Sequence, residues 1–209
     1  MSTPRRSFLG RLTALVALGA APSTLAAADA RSAGARWPDE TWLERIANRE
    51  HRVLIDTGTA ADGQSMRRAL NFLDVMNADY HIPDGRTGVA IVMHGTATPL
   101  QFDDAIWAKY AMGRRLGVKD AQGADATANP FRAGAPYSVE ALGRRGVQFL
   151  ACDRSLQRIA RDLAGAAGDA SAIHDELVAH LLPGCVAVPA AIAAVSRAQA
   201  RGIPYMFVA

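Results

Sequence analysis

The sequence predicts an α/β fold built on a parallel sheet. Five short apolar runs recur along the chain, "RVLID" (52–56), "GVAIVM" (88–93), "VQFLA" (147–151), "CVAVP" (185–189) and "YMFV" (205–208), and segments of helical periodicity separate them. Runs that are apolar at every position suit strands covered on both faces, the habit of parallel sheets. Strand followed by helix, repeated, implies right-handed crossovers. Half of the residues are apolar and 21% are charged, which is ample for one packed core.

The first thirty residues are expected to be an export signal. "STPRRSFLGRL" is a basic opening, "LTALVALGAA" a short apolar stretch and "LAAADA" a row of small-x-small cleavage positions. Ten apolar residues are too few to span a bilayer, so no stable span is expected after signal removal. Arg5 and Arg6, followed by Ser7, Phe8 and Leu9, resemble a twin-arginine signal, with Pro4 and Gly10 departing from its usual pattern; the address implied is the periplasm. Residues 31–50 read as a linker running into a short helix, and residues 51–209 as the folded domain.

The first strand, 52–56, runs into "DTGTAADG" (56–63). Gly58 and its small neighbours could turn backbone amides toward a phosphate, with Thr57 and Gly58 as contacts; a plain turn in which Asp62 caps the next helix explains the segment equally well. Met66, Leu70, Leu73 and Met76 then mark a helix. The second strand, 88–93, delivers "HGTATP" (94–99), in which His94 is either a candidate acid–base group or a capping histidine, and Gly95 and Thr96 are candidate ligand contacts. Residues 117–137 lack periodicity and read as a long surface loop, a flap over the site or an insertion.

The third strand, 147–151, ends at "CDRS" (152–155), and Leu156, Ile159 and Leu163 continue as a helix. Cys152 has two readings. It is a small buried hydrophobe, or a thiolate favoured by the N-terminus of the helix that begins beside it, with Arg154 adding positive charge and Asp153 as N-cap. On neighbouring parallel strands His94 and Cys152 would lie on tracks about 5 Å apart. Ile173, Leu177 and Leu181 mark a further helix before the turn "LLPG". Cys185 opens the fourth strand, whereas Cys152 follows the third, so the two sulfurs belong on opposite rims and no disulfide is expected.

Composition and spacing exclude several functions. The formal charge of +3 owes two units to Arg5, Arg6 and Arg11 against Asp29, which leaves a near-neutral body and no case for nucleic-acid binding. No HxxxH or CxxC pair occurs, and His174 and His180, six apart, fall on different faces of a helix; a scattered set of His81, His94 and Cys152 is the one combination left, so no metal and no cofactor are expected.

Taken together, "GVQFLAC" (146–152), "VAIVMHG" (89–95) and "LVAHLLPGCVAVPAAIAAVSRAQARGIPYMFV" (177–208) resemble the DsrE/YchN-like family over about residues 51–208. The resemblance implies a DsrEFH-like three-layer α/β/α domain with a five-stranded parallel sheet ordered 4-3-2-1-5, and a homo-oligomer, trimer or hexamer. It also implies that Cys152 carries sulfur as a persulfide between donor and acceptor proteins, with His94 and the helix N-terminus stabilising its thiolate. The alternative is a non-catalytic oligomeric module of the same fold that binds a small ligand through Thr57, Gly58, His94, Gly95, Thr96 and Asp153. That strand order sends three crossovers over one face of the sheet and the last over the other, so the thinly covered face is a physical reason for self-association.

Overall fold

The computed structural model describes residues 40–209, so the expected export signal and most of the linker lie outside the described residues. Five parallel strands form one sheet in the order β4-β3-β2-β1-β5. They are β1, His51–Thr57; β2, Thr87–Met93; β3, Gln148–Cys152; β4, Cys185–Val188; and β5, Tyr205–Val208. Each boundary falls within a residue or so of its apolar run, because a run covered on both faces ends where polar residues can be solvated.

Alternation along the strands sorts the side chains into two layers. Val53 and Ile55, Val89, Ile91 and Met93, and Phe149 and Ala151 face one core. Leu54, Ala90, Val92, Leu150, Cys152 and Val188 face the other. The first layer is covered by α2 (Gln64–Ala78), α6 (Asp153–Ala164) and α7 (Ala170–Ala179), through residues such as Met66, Leu73, Leu156 and Leu177. The second is covered by α8 (Ala191–Ala200), through Ala191, Ala194 and Ala198, and by α1 (Thr41–Ala47), through Trp42, Leu43 and Ile46. The last crossover therefore runs over the face opposite the other three. That face is less bare than its single crossover implies, because α1 supplies cover the strand–helix pattern did not count.

Between β2 and β3 the chain builds a 3₁₀ turn at Gly95–Gln101 and three short helices, α3 (Asp104–Lys109), α4 (Met112–Leu116) and α5 (Val139–Arg144). Residues 117–137 contain no helix or strand, yet they are pinned to the first layer. Asn129 Nδ2 donates to the carbonyls of Leu100 (2.9 Å) and Phe102 (2.7 Å), and its Oδ1 accepts the Phe131 amide (2.9 Å). Phe131 is buried in the first core, whereas Cys152 belongs to the second, so Phe131 anchors the loop on the face opposite the cysteine. Among the described residues no helix is long and apolar enough to cross a membrane.

Candidate functional site

The carboxyl ends of β1, β2 and β3 bring the sequence candidates to one rim. Met93 pairs with Ala151, so His94, one step further and still extended, stands opposite Cys152. Parallel strands are about 5 Å apart in this direction. By alternation His94 and Cys152 share the second face with Val92 and Leu150.

The two side chains nevertheless find different partners. Cys152 is 5% exposed, and its sulfur accepts the backbone amide of Ala191 at 3.3 Å. Ala191 is the first residue of α8, so the helix whose N-terminal amide reaches the sulfur is the last one in the chain. Cys152 is itself the N-cap residue of α6, without a side-chain capping bond. The expected capping role of Asp153 is thereby replaced: Asp153 is the first residue of α6, 4% exposed, and turns toward α7. There its Oδ1 meets His174 Nε2 at 2.7 Å and its Oδ2 accepts Gln157 Nε2 at 2.6 Å. A carboxylate so engaged is a structural tie between α6 and α7.

His94 leans toward β1. Its Nε2 lies 3.2 Å from Asp56 Oδ1, and its ring rests on Gly58, where a Cβ would stand 2.8 Å from the ring carbon Cε1. Tyr205, on the edge strand β5, donates its hydroxyl to Asp56 Oδ2 at 2.9 Å. Burial, with the Asp56 carboxylate second, pushes the Tyr205 phenol above its ordinary range, so it stays a donor. Neither Asp56 nor Tyr205 stands out in sequence, since each belongs to an apolar run, "RVLID" or "YMFV".

The loops after β1 and β2 are held together at the rim. Gly95 donates its amide to Ser155 Oγ at 2.9 Å, and Thr96 its amide to the Gly58 carbonyl at 3.0 Å. Gly95 has a positive φ of 55°, and a Cβ there would lie 2.5 Å from that carbonyl, so the close approach of the two loops requires glycine at position 95. Thr57 is buried and donates its hydroxyl to the Thr59 carbonyl at 3.1 Å. Asp62 does not cap α2: it sits in the left-handed region at φ 49°, and Gly63 is the N-cap residue.

Cys185 behaves as the sequence predicts. It pairs with Phe149, three residues before Cys152 in the β3–β4 register, and packs against the first core while Cys152 joins the second. Both are free thiols. Burial pushes the Cys185 thiol up to about 12. Among the described residues, no group of three or more His, Cys, Asp or Glu side chains could hold a metal ion.

No family model matches the chain, and no curated protein does. A solved structure from Methanobacterium thermoautotrophicum, described as a protein of unknown function, MTH1491, is similar at 14% identity and a TM-score of 0.43, over 76% of this chain and 100% of that one.

Proposed function

We propose that this chain is an exported, periplasmic sulfur carrier of the DsrE/YchN-like kind, working as a homo-oligomer, in which Cys152 takes sulfane sulfur from a donor and passes it to an acceptor protein. The observation that carries this reading is the Ala191 amide on the Cys152 sulfur, 3.3 Å away at the N-terminus of a ten-residue helix. An amide N–H and the positive end of a helix favour an anionic sulfur, whether thiolate or persulfide. A small buried filler has no need of either. The twin-arginine-like opening supports export.

In the loading step the Cys152 thiolate attacks the outer sulfur of a donor persulfide. A new S–S bond forms at Cys152, the donor's S–S bond breaks, and the donor leaves as a thiolate with that electron pair. No external oxidant is consumed. The sulfur added is the outer atom of the persulfide, the one an acceptor thiolate attacks.

The test is incubation of the purified protein with a small-molecule persulfide donor, followed by peptide mass spectrometry. A gain of about 32 Da on the Cys152 peptide, absent from Cys185 and from Cys152→Ser, is expected. An unmodified Cys152 after exposure to donor overturns the proposal.

A further inference from the structure

We infer that the outer edge of β5 is an interface between two copies of this chain, at which β5 pairs antiparallel with β5 of the second copy across a two-fold axis. The inference rests on the carrier reading only for its self-association, and it is independent of the sulfur chemistry.

The sheet face that strand order alone leaves thin is covered by α1, so the apolar surface left open lies elsewhere. Among the described residues, four of the five large apolar side chains most exposed are Tyr205 (42%), Met206 (43%), Phe207 (57%) and Tyr80 (66%). Met206, Phe207 and Tyr80 line one groove of about 950 Å³, walled on the α2 side by Phe72, Val75 and Met76. A strand edge is ordinarily guarded by charge, proline or a bulge. The four residues of β5 include neither a charge nor a proline, and they pair with β1 in unbroken register.

The backbone fixes the register of a partner strand. In a parallel ladder alternate residues turn both backbone groups to the same neighbour. The Leu54 amide donates to the Pro204 carbonyl at 2.8 Å, and Leu54 pairs with Tyr205. Pro204, Met206 and Val208 therefore face β1, and Tyr205 and Phe207 turn their N–H and C=O groups outward. An antiparallel partner centred on Met206 sets Tyr205 opposite Phe207 of the second copy, twice, and closes all of these outward groups. Opposed side chains then share a face: Tyr205 and Phe207 form two aromatic pairs, and Met206 meets its own counterpart where the two α2 grooves adjoin. The Tyr205 hydroxyl is held by Asp56 at 2.9 Å, so its ring meets the partner already positioned.

Area and symmetry select a second copy as the occupant. At roughly 200 Å² for a full side chain of this size, the four exposed ones offer about 400 Å² per copy. Phe72, Val75 and Met76, each partly exposed, add to it. Two copies thus bring about 1,000 Å², the size from which an interface becomes specific. Tyr, Phe and Met are also the residues enriched at interface centres, where charge is depleted. A strand edge is self-complementary across a two-fold, so β5 on β5 closes with both edges covered. Pairing β5 with the β4 edge of the next copy would leave a bare β5 at the end and go on adding copies.

The experiment is sedimentation equilibrium of the full chain at micromolar concentration, with cross-linking in parallel. The unaltered protein is expected as an even number of copies, and Phe207→Lys is expected to weaken the two-fold contact at least about a hundredfold. Met206→Cys, facing its own counterpart in a pair with α-carbons about 4.5 Å apart, should form a covalent dimer on mild oxidation. Phe207→Cys, whose counterpart lies diagonally across, should do so much more slowly. The cross-link keeps the inference testable if Phe207→Lys does not fold. A monomer or a trimer, an assembly unchanged in folded Phe207→Lys, or no cross-link through Met206→Cys overturns the interface. Persulfide loading of Cys152 is scored on the same samples: loading in a monomer overturns the interface and leaves sulfur transfer standing. A two-fold dimer whose Cys152 never loads supports the interface and overturns the carrier reading alone.

Discussion

The two cysteines differ enough in surroundings that alkylation should separate them by orders of magnitude. Burial carries the Cys185 thiol from an ordinary 9.0 up to about 12. Three pH units correspond to about a thousandfold less thiolate at neutral pH, and the thiolate is the species that reacts. At about pH 7.5 only about one Cys185 in 30,000 would be ionised, and at about pH 10 still only about 1%. Cys152 lies at a rim, with an amide N–H on its sulfur. Iodoacetamide labelling of the native protein, followed by peptide mass spectrometry over time, should therefore modify Cys152 at least about a hundredfold faster than Cys185. In denaturant the two rates should converge, because the difference belongs to the fold. Equal rates in the native protein would refute both the burial account of Cys185 and the helix-end account of Cys152.

Two further substitutions probe the frame around the site. Asn129→Ala strands the Leu100 and Phe102 carbonyls and the Phe131 amide. Three lost buried hydrogen bonds cost about 3–4 kcal/mol, which lowers Tm by roughly 8–12 °C in a domain of this size; calorimetry showing a fall below about 2 °C would mean the loop is not pinned as described. Arg145 grips Asp84 through Nε at 2.8 Å and Nη2 at 3.0 Å, and that hydrogen bonding, aided by Asn77 and opposed by burial, holds the Asp84 carboxyl below its usual range. A depressed carboxyl stabilises above its unfolded value, about 4, and the benefit is lost as pH falls below that. Asp84→Asn should thus cost about 1 kcal/mol near pH 7 and progressively less as pH falls below about 4, so a loss in urea titrations that does not shrink on acidification would contradict the assignment.

The frame was legible because both of its periodicities are local. A strand covered on two faces announces itself in five consecutive apolar residues, and Leu156, Ile159 and Leu163 repeat over only two turns of α6. The stretch from Gly95 to Arg144 was not legible beyond its loop. Its 3₁₀ turn carries Pro99 inside it, and α3, α4 and α5 have six, five and six residues, too few for a period to emerge. The site was half legible for a related reason. That Cys152 closes a strand can be read from its neighbours, but the amide on its sulfur comes from Ala191, 39 residues away, and only packing of α8 brings it there. Asp153 illustrates the opposite error. Its type and place suit a cap, but His174 offered a buried partner at 2.7 Å, and tertiary pairing overrode the local rule.

The strand order also sets which rim residues meet across strands. In an open parallel sheet the natural crevice lies at the carboxyl ends where the winding reverses. Here that point falls between β1 and β5, the two strands reached over opposite faces. The Tyr205 hydroxyl bridges it to Asp56 at 2.9 Å. Cys152 stands on β3, two strands from β1 and so about 10 Å from it. β2 lies between them, and the polar residue at its carboxyl end is His94. An imidazole there has one nitrogen beside Asp56 and a backbone position opposite Cys152. Glycine at position 58 lets that imidazole lie down toward β1, and a Cβ in its place would lift it away. The reversal point is thus tied to the middle strand through Asp56 and His94, while the Cys152 sulfur on the next strand meets the Ala191 amide instead.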